Sequence, residues 1–408
     1  MKYGLIGEKL GHSFSKVIHE KIADYTYELK EISKEDLDSF MRSRDFQSIN
    51  VTIPYKEAVI PYLDYIDPFA EKIGAVNTIV NRDGKLYGYN TDFLGMKLMI
   101  EKNGFDFEGK KVLILGSGGT SKTSKAVSES LGASQIITVG RSSQVNYGNV
   151  VELHSDADFI INTTPCGMYP NNGTFAIDPA VFPTLEGIID AVYNPLKTTL
   201  IQKGEEMGVK GVTGLYMLVA QAVIAYEKFT GESLDTEKIT DEVYSQMLKE
   251  KQNIVLIGMP GSGKTTVGRL LAESLGRDFI DTDEVITAKH GVISDIFRDK
   301  GESCFRDMES EAVREVAQKS GVIISTGGGA ILREENVKAL RQNGVIFFLN
   351  RPLDDIMPTA DRPLSSDREA LEKRFNERYD KYKSACDFEI ISDSTAEDAT
   401  NKIKEYLL

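Results

Sequence analysis

Tryptophan is absent from this chain of 408 residues, and cysteine and histidine are scarce, at three and four. The cysteines, Cys166, Cys304 and Cys386, form no C-x-x-C pair. That excludes a thiolate metal knuckle and points to a reducing compartment without structural disulfides. His12, His19, His154 and His290 lack the spacing of a ligand set, so no metal site is expected beyond the Mg2+ a nucleotide brings. Positive charge is also short: 48 Lys and Arg stand against 62 Asp and Glu, a net charge of −14. This excludes a general nucleic-acid or membrane-surface binder. It leaves room for an anionic small molecule held by local basic residues. No uncharged apolar run approaches the ~18–20 residues of a membrane span. The opening MKYGLIGEKLGHS holds no apolar core for a signal peptide. A cytoplasmic protein is expected, and a homo-oligomer is left open.

What is present is ordinary globular composition, 41% hydrophobic and 27% charged, in a length that suits two to four domains. Three strand–glycine–helix units organise it. The first is KYGLIG, a polar loop, then KVIHEKIADY. The second is KVLILGSGGTSKTSKAVSESLG, and the third is NIVLIGMPGSGKTTVGRLLAESLG from Asn253. Each is the βα unit of an open parallel sheet. Between the second and third lie an apolar helix, LYMLVAQAVIAYEKFTG, and a charged helix, residues 235–252, read as the linker.

The third unit contains G-x-x-x-x-G-K-T: Gly258, Gly261, Ser262, Gly263, Lys264, Thr265 and then Thr266. Backbone N–H groups of such a loop curl around phosphate oxygens at a helix N-terminus. Lys264 reaches the terminal phosphates of ATP, and Thr265 ligates Mg2+. Asp281 and Asp283 lie two apart; on an extended strand both point to one face. One carboxylate can organise Mg2+, Asp281 being taken for the metal, while the other accepts a proton; on spacing alone a solvated acidic loop is the stronger reading. Arg306 and Glu309 share a helical face, where a surface ion pair is the alternative. Gly327–Gly329 make a costly loop unless something approaches the backbone closely.

Earlier in the chain, Lys56 follows NVTI and a proline, and Asp92 sits at a similar boundary. A partly desolvated Lys–Asp pair can serve a carbonyl oxygen with a proton, but spacing alone cannot bring the two together. Gly116, Gly118 and Gly119 open a helix after KVLIL. Some 20 residues on, Arg141 and Ser142 follow a strand, where an NAD enzyme carries an acid and an Arg suits the 2′-phosphate of NADP. Gln221 is the lone amide in an apolar helix; buried without a partner it costs ~1–3 kcal/mol. A ligand hydroxyl or a backbone carbonyl would satisfy it.

The ordered set of the P-loop, D-T-D at Asp281, F-R-x-x-E at Phe305, GGG at Gly327, R-P-L at Arg362 and R-x-x-x-Y at Arg378 resembles shikimate kinase over residues 251–408. The resemblance implies that Asp283, Arg306, Gly328 and Arg378 hold shikimate, with both arginines on its carboxylate. Arg362 would reach ATP from a mobile lid. Residues 1–250 resemble shikimate dehydrogenase through H-S-x-S at His12, N-V-T-I-P-x-K at Asn50, G-A-V-N-T at Gly74 and N-T-D-x-x-G at Asn90. I-N-T-T-P at Ile161, Y-N-P at Tyr193 and G-x-x-M-x-x-x-Q at Gly214 complete the set. That resemblance implies substrate contacts from Ser13, Ser15, Thr52, Asn77, Asn90, Tyr193 and Gln221, catalysis by Lys56 and Asp92, and NADP contacts that include Thr163 and Gly214. It also implies a substrate lobe, 1–102 with 214–250, around a Rossmann lobe, 103–213. This chain departs from the family pattern at Lys16, at G-S-G-G-T and at Gly140, so NADPH is favoured with NAD left open.

The expected fold is α/β throughout: a two-lobed Rossmann-type half followed by a P-loop domain with a parallel sheet. The expected function is reduction of 3-dehydroshikimate by NADPH, then phosphorylation of shikimate by MgATP. The rival is a regulator that senses shikimate or quinate on inactive copies of the same folds.

Overall fold

The computed structural model describes residues 1–11, 13–356 and 368–407. His12 and Arg362 therefore lie outside the described residues. The chain forms two compact units, one of Met1–Asn194 with Thr198–Met247, the other of Pro195–Lys197 with Leu248–Leu408.

In the first unit, the described residues build two sheets. One runs Tyr27–Glu31, Tyr3–Gly7, Ser48–Val51, Thr78–Arg82, Lys85–Tyr89, Tyr65–Ile66; its first three strands are parallel and the next two form an antiparallel hairpin. The other runs Lys210–Thr213, Gly187–Asp190, Phe159–Asn162, Lys111–Leu115, Gln135–Val139 and is parallel throughout. Its central strands are continuous apolar runs, as a sheet covered on both faces requires. Helix Thr91–Lys102 crosses helix Leu215–Thr230 at Gly95, where a Cβ would stand 2.9 Å from both Gln221 N and Met217 O. That close crossing brings the start of one helix, with Asp92, to the middle of the other, with Gln221.

The charged stretch read as a linker is a helix, Thr236–Lys251, but not a free spacer. Thr240, Val243 and Met247 are buried along one stripe of it. Glu237 and Asp241 accept from Lys102 Nζ at 3.0 and 2.7 Å, and Tyr216 donates to Asp241 at 2.8 Å. Its charges fringe an apolar stripe that docks on the first unit.

The second unit is a parallel sheet ordered Phe279–Asp281, Ile323–Ser325, Asn253–Ile257, Gly344–Asn350, Phe388–Ile391 among the described residues. Alternate residues of its strands face opposite ways. Ile254, Leu256, Phe347 and Leu349 pack on helices Lys264–Leu275 and Ala396–Glu405. Val255, Ile257, Ile346 and Phe348 pack on helices Ile293–Ala317, Glu334–Asn343 and Arg368–Ala385. The strand ends next to the glycine loop thus open onto one cleft.

Candidate active sites

In the first unit Lys56 leaves the end of strand Ser48–Val51, and Asp92 lies in the first turn of helix Thr91–Lys102. Lys56 Nζ donates to Asp92 Oδ2 at 2.6 Å, with the two side chains 16% and 10% exposed. So shielded a pair is not the loose surface bridge that spacing alone allowed. Asn90 caps the helix, accepting from Phe93 N at 3.1 Å and donating to the Ala75 carbonyl at 2.9 Å. Asn77 accepts from Thr91 N at 2.7 Å and donates to Thr91 Oγ1 at 3.0 Å. Thr91 in turn donates toward Gln221 Oε1 at 3.4 Å, and Gln221 Nε2 donates to the Leu218 carbonyl at 2.8 Å. The structure therefore gathers Lys56, Asp92, Asn77, Asn90 and Gln221 around Thr91. Sequence reasoning passed over Thr91, although it stands inside N-T-D. Ser13 and Ser15 form a separate pair, Oγ to Oγ 3.1 Å, at the start of helix Ser15–Ile22. Between them Phe14 packs its ring 5.3 Å from that of Tyr193. Thr52 follows the strand that carries Asn50 and touches the space beside Gly7.

The glycine loop faces this pair. A Cβ on Gly119 would lie 3.6 Å from Lys56 Cδ, and one on Gly118 would meet nothing within 4 Å. A Cβ on Gly116 would lie 2.6 Å from Thr163 Oγ1, which donates to the Leu115 carbonyl. Gly214, before the long helix, has no room for a Cβ either: it would stand 2.2 Å from Ala191 O. Arg141 and Ser142 are exposed just past strand Gln135–Val139. A loop open at Gly118, with a guanidinium at the next strand end, fits a dinucleotide with a 2′-phosphate. Asp190, unremarked in the sequence, ties this lobe together. Buried, it accepts from Thr198 Oγ1 at 2.7 Å, Asn162 Nδ2 at 2.9 Å and Val192 N at 3.0 Å. Burial raises its pKa to about 6 against those three donors.

In the second unit a cleft of about 590 Å³ is lined by the P-loop, Asp281, Asp283, Arg306, Gly327–Gly329 and Arg378. Gly261 and Gly263 take φ of 85° and 93°, a left-handed backbone closed to most residues, and so turn the loop round the helix start at Lys264. Lys264 Nζ donates to the carbonyls of Gly258 and Met259 at 3.0 and 2.9 Å. Ser262 is buried within the loop, and Thr266 lines the cleft with Thr265.

Asp281 and Asp283 do not share a strand face. Asp281 ends strand Phe279–Asp281 and caps helix Thr282–His290, accepting from Asp283 N at 2.9 Å, so Asp283 lies in the first helical turn. The cap wins because Asp accepts from orphan helix N–H groups. The two carboxylates still reach one cleft. Asp281 Oδ2 accepts from Thr265 Oγ1 at 2.9 Å, a hydroxyl and a carboxylate placed as Mg2+ ligands would be. Asp283 Oδ1 is buried without a partner, and burial, then Asp281 and Glu309, raise its pKa to about 6.

Arg306 and Glu309 make a buried pair at 2.7 Å, not a surface one, and Arg306 also reaches Glu302 at 2.9 Å. The triple glycine has its reason here. A Cβ on Gly329 would lie 2.0 Å from Arg306 Nη1, and one on Gly327 would lie 2.7 Å from Glu309 Oε1. Arg378 donates to the Gly328 carbonyl at 3.0 Å, so the loop holds both guanidiniums over the cleft.

Comparison with known proteins gives two family matches: the shikimate dehydrogenase substrate binding domain over residues 5–79 and shikimate kinase over residues 260–408. A shikimate dehydrogenase (NADP(+)) of Clostridium perfringens is 40% identical over 268 residues, 60% of this chain and 98% of that protein. Shikimate dehydrogenase 1 from Peptoclostridium difficile is similar in structure at a TM-score of 0.57 and 37% identity, over 60% of this chain and 97% of its own. A chorismate mutase/shikimate 5-dehydrogenase fusion protein from Clostridium acetobutylicum is similar at 0.56 and 37%, over 60% and 96%. Among the described residues no helix is long and apolar enough to cross a membrane.

Proposed function

We propose, from the premise that this chain belongs to the shikimate dehydrogenase family and carries a shikimate kinase domain behind it, that one polypeptide performs two consecutive reactions on one oxygen. The first reduces 3-dehydroshikimate to shikimate, and the second phosphorylates the hydroxyl just made. The observation that carries this reading is the Lys56–Asp92 pair at 2.6 Å beside Gly119. It sets a proton donor against the loop that fits a dinucleotide.

Bound NADPH supplies the hydride to the carbonyl carbon. Lys56 gives the proton to the carbonyl oxygen, and Asp92 holds Nζ in place and balances its charge. Thr91 and its amide neighbours keep the Asp92 helix end fixed, while Asn77, Asn90, Gln221 and the Ser13–Ser15 pair offer polar groups to the substrate hydroxyls and carboxylate. Arg141 and Ser142 receive the 2′-phosphate. In the kinase, Mg2+ held by Thr265 and Asp281 would neutralise phosphate charge. Asp283 accepts the proton of the attacking hydroxyl, Lys264 steadies the transferring phosphoryl oxygens, and Arg306 and Arg378 pair with the ring carboxylate. Three free cysteines support a cytoplasmic setting.

Two separate assays test the reading: NADPH oxidation on 3-dehydroshikimate, and ADP release on shikimate. Turnover in both is expected. Failure of either, with the protein folded, removes that half.

A further inference from the structure

The cleft of the second unit is lined by two cations that no role above uses, Arg351 and Arg374. Arg351 follows strand Gly344–Asn350, the neighbour of the strand that enters the P-loop, with Ile257 opposite Phe348. The two chains stay close beyond the sheet: a Cβ on Gly258 would stand 2.7 Å from the Leu349 carbonyl. Arg351 thereby lines the same cleft as Gly261, Gly263 and Lys264, with Nη1 4.0 Å from where a Cβ of Gly263 would be. Its Nε is buried and has no hydrogen-bond partner. Of the other cations there, Arg306 is engaged by Glu302 and Glu309, Arg378 and Lys264 by backbone carbonyls, and Arg374 lies in the field of Glu302 and Glu377. Among the described residues no ion pair holds Arg351.

A guanidinium with a dry, unpaired N–H calls for an anionic oxygen, and beside a phosphate-binding loop a phosphate supplies it. We propose that Arg351 binds the terminal phosphates of ATP from the rigid end of the sheet. Arg351 is then a residue of both nucleotide binding and phosphoryl transfer: its charge faces oxygens that gain negative charge as the terminal bond breaks. This rests on the kinase reading above for the identity of the second substrate only.

The experiment is calorimetry of MgATP and of AMP, without shikimate, on the full chain and on Arg351→Gln and Arg351→Lys. Arg351→Gln is expected to weaken MgATP binding about 10–100-fold, the worth of a hydrogen bond to a charged group. AMP affinity should stay within about twofold, since AMP carries no terminal phosphates. Arg351→Lys should recover part of the loss, because it keeps charge and loses only the fork. Unchanged shikimate affinity in both variants shows an intact cleft. Equal losses for ATP and AMP would place Arg351 on the base or ribose and overturn the proposal, as would MgATP affinity within about twofold of the parent. If the parent binds MgATP and Arg351→Gln does not, but shikimate is never phosphorylated, the role of Arg351 stands and the choice of second substrate falls.

Discussion

Asp283→Asn should make the kinase unit more stable while disabling it. Asp283 is ionised for its task in a place that resists ionisation: burial, then Asp281 and Glu309, raise its pKa from 3.8 to about 6. A raised carboxyl pKa means that the folded protein binds the proton more tightly than the unfolded chain between those two values. Its contribution to stability therefore falls as pH rises through that window and is fully lost above about pH 6. A shift of about two units means that holding the charge costs the folded state roughly 3 kcal/mol at neutral pH, an upper figure because neighbouring charges relax. Asparagine removes the charge in nearly the same shape. Its amide also gives the unpartnered Glu309 Oε1 a donor nearby, for both atoms crowd the space at Gly327. A gain of about 1–3 kcal/mol follows, with each kcal/mol worth roughly 2–4 °C in a unit of this size. Scanning calorimetry at pH 4 and pH 7 reads it, the kinase transition being the one that MgATP shifts upward. The gain should be near zero at pH 4 and full at pH 7. In the parent, kcat/KM for shikimate should fall as pH drops through about 6, and the variant should have lost most of its phosphoryl transfer. A variant less stable than the parent at pH 7, or one with parental turnover, would refute the reasoning.

Lys56→Ala should cut kcat for the reduction by ~10²–10⁴-fold while NADPH still binds and phosphorylation is untouched; a near-normal kcat would remove Lys56 from the chemistry. Arg141→Ala should raise KM for NADPH and leave NADH use nearly unchanged, and equal losses with both would make Arg141 a fold residue. Lys264→Ala should abolish phosphoryl transfer without changing the dehydrogenase, since its charge faces the transferring phosphoryl oxygens; measurable ADP release on shikimate would count against it.

Both glycine loops were legible as turns between a strand and a helix because their glycines serve the backbone, and backbone geometry is written locally. The helix from Thr236 was legible as a helix, but its charges hid the buried stripe of Thr240, Val243 and Met247. Asp281 and Asp283 show the limit of spacing. Two apart fits a strand face and also a cap followed by a first turn, and only the chain direction after Phe279–Asp281 decides. Lys56 and Asp92 lie 36 positions apart, and no local pattern says that they touch. Arg306 and Glu309 were correctly paired, yet their burial depends on the distant Gly327–Gly329 loop folding over them. Asp190 and Arg351 sit in no motif; each gains its meaning from strands that lie side by side only in the sheet.

One reaction mixture tests the central claim most directly: 3-dehydroshikimate, MgATP and NADPH carrying deuterium at the transferred position, with the purified chain and product identified by mass. One product is predicted, shikimate 3-phosphate bearing a single deuterium, which records both transfers on one molecule. Deuterated shikimate accumulating with ATP unspent, or NADPH left unoxidised while added shikimate is phosphorylated, would contradict it.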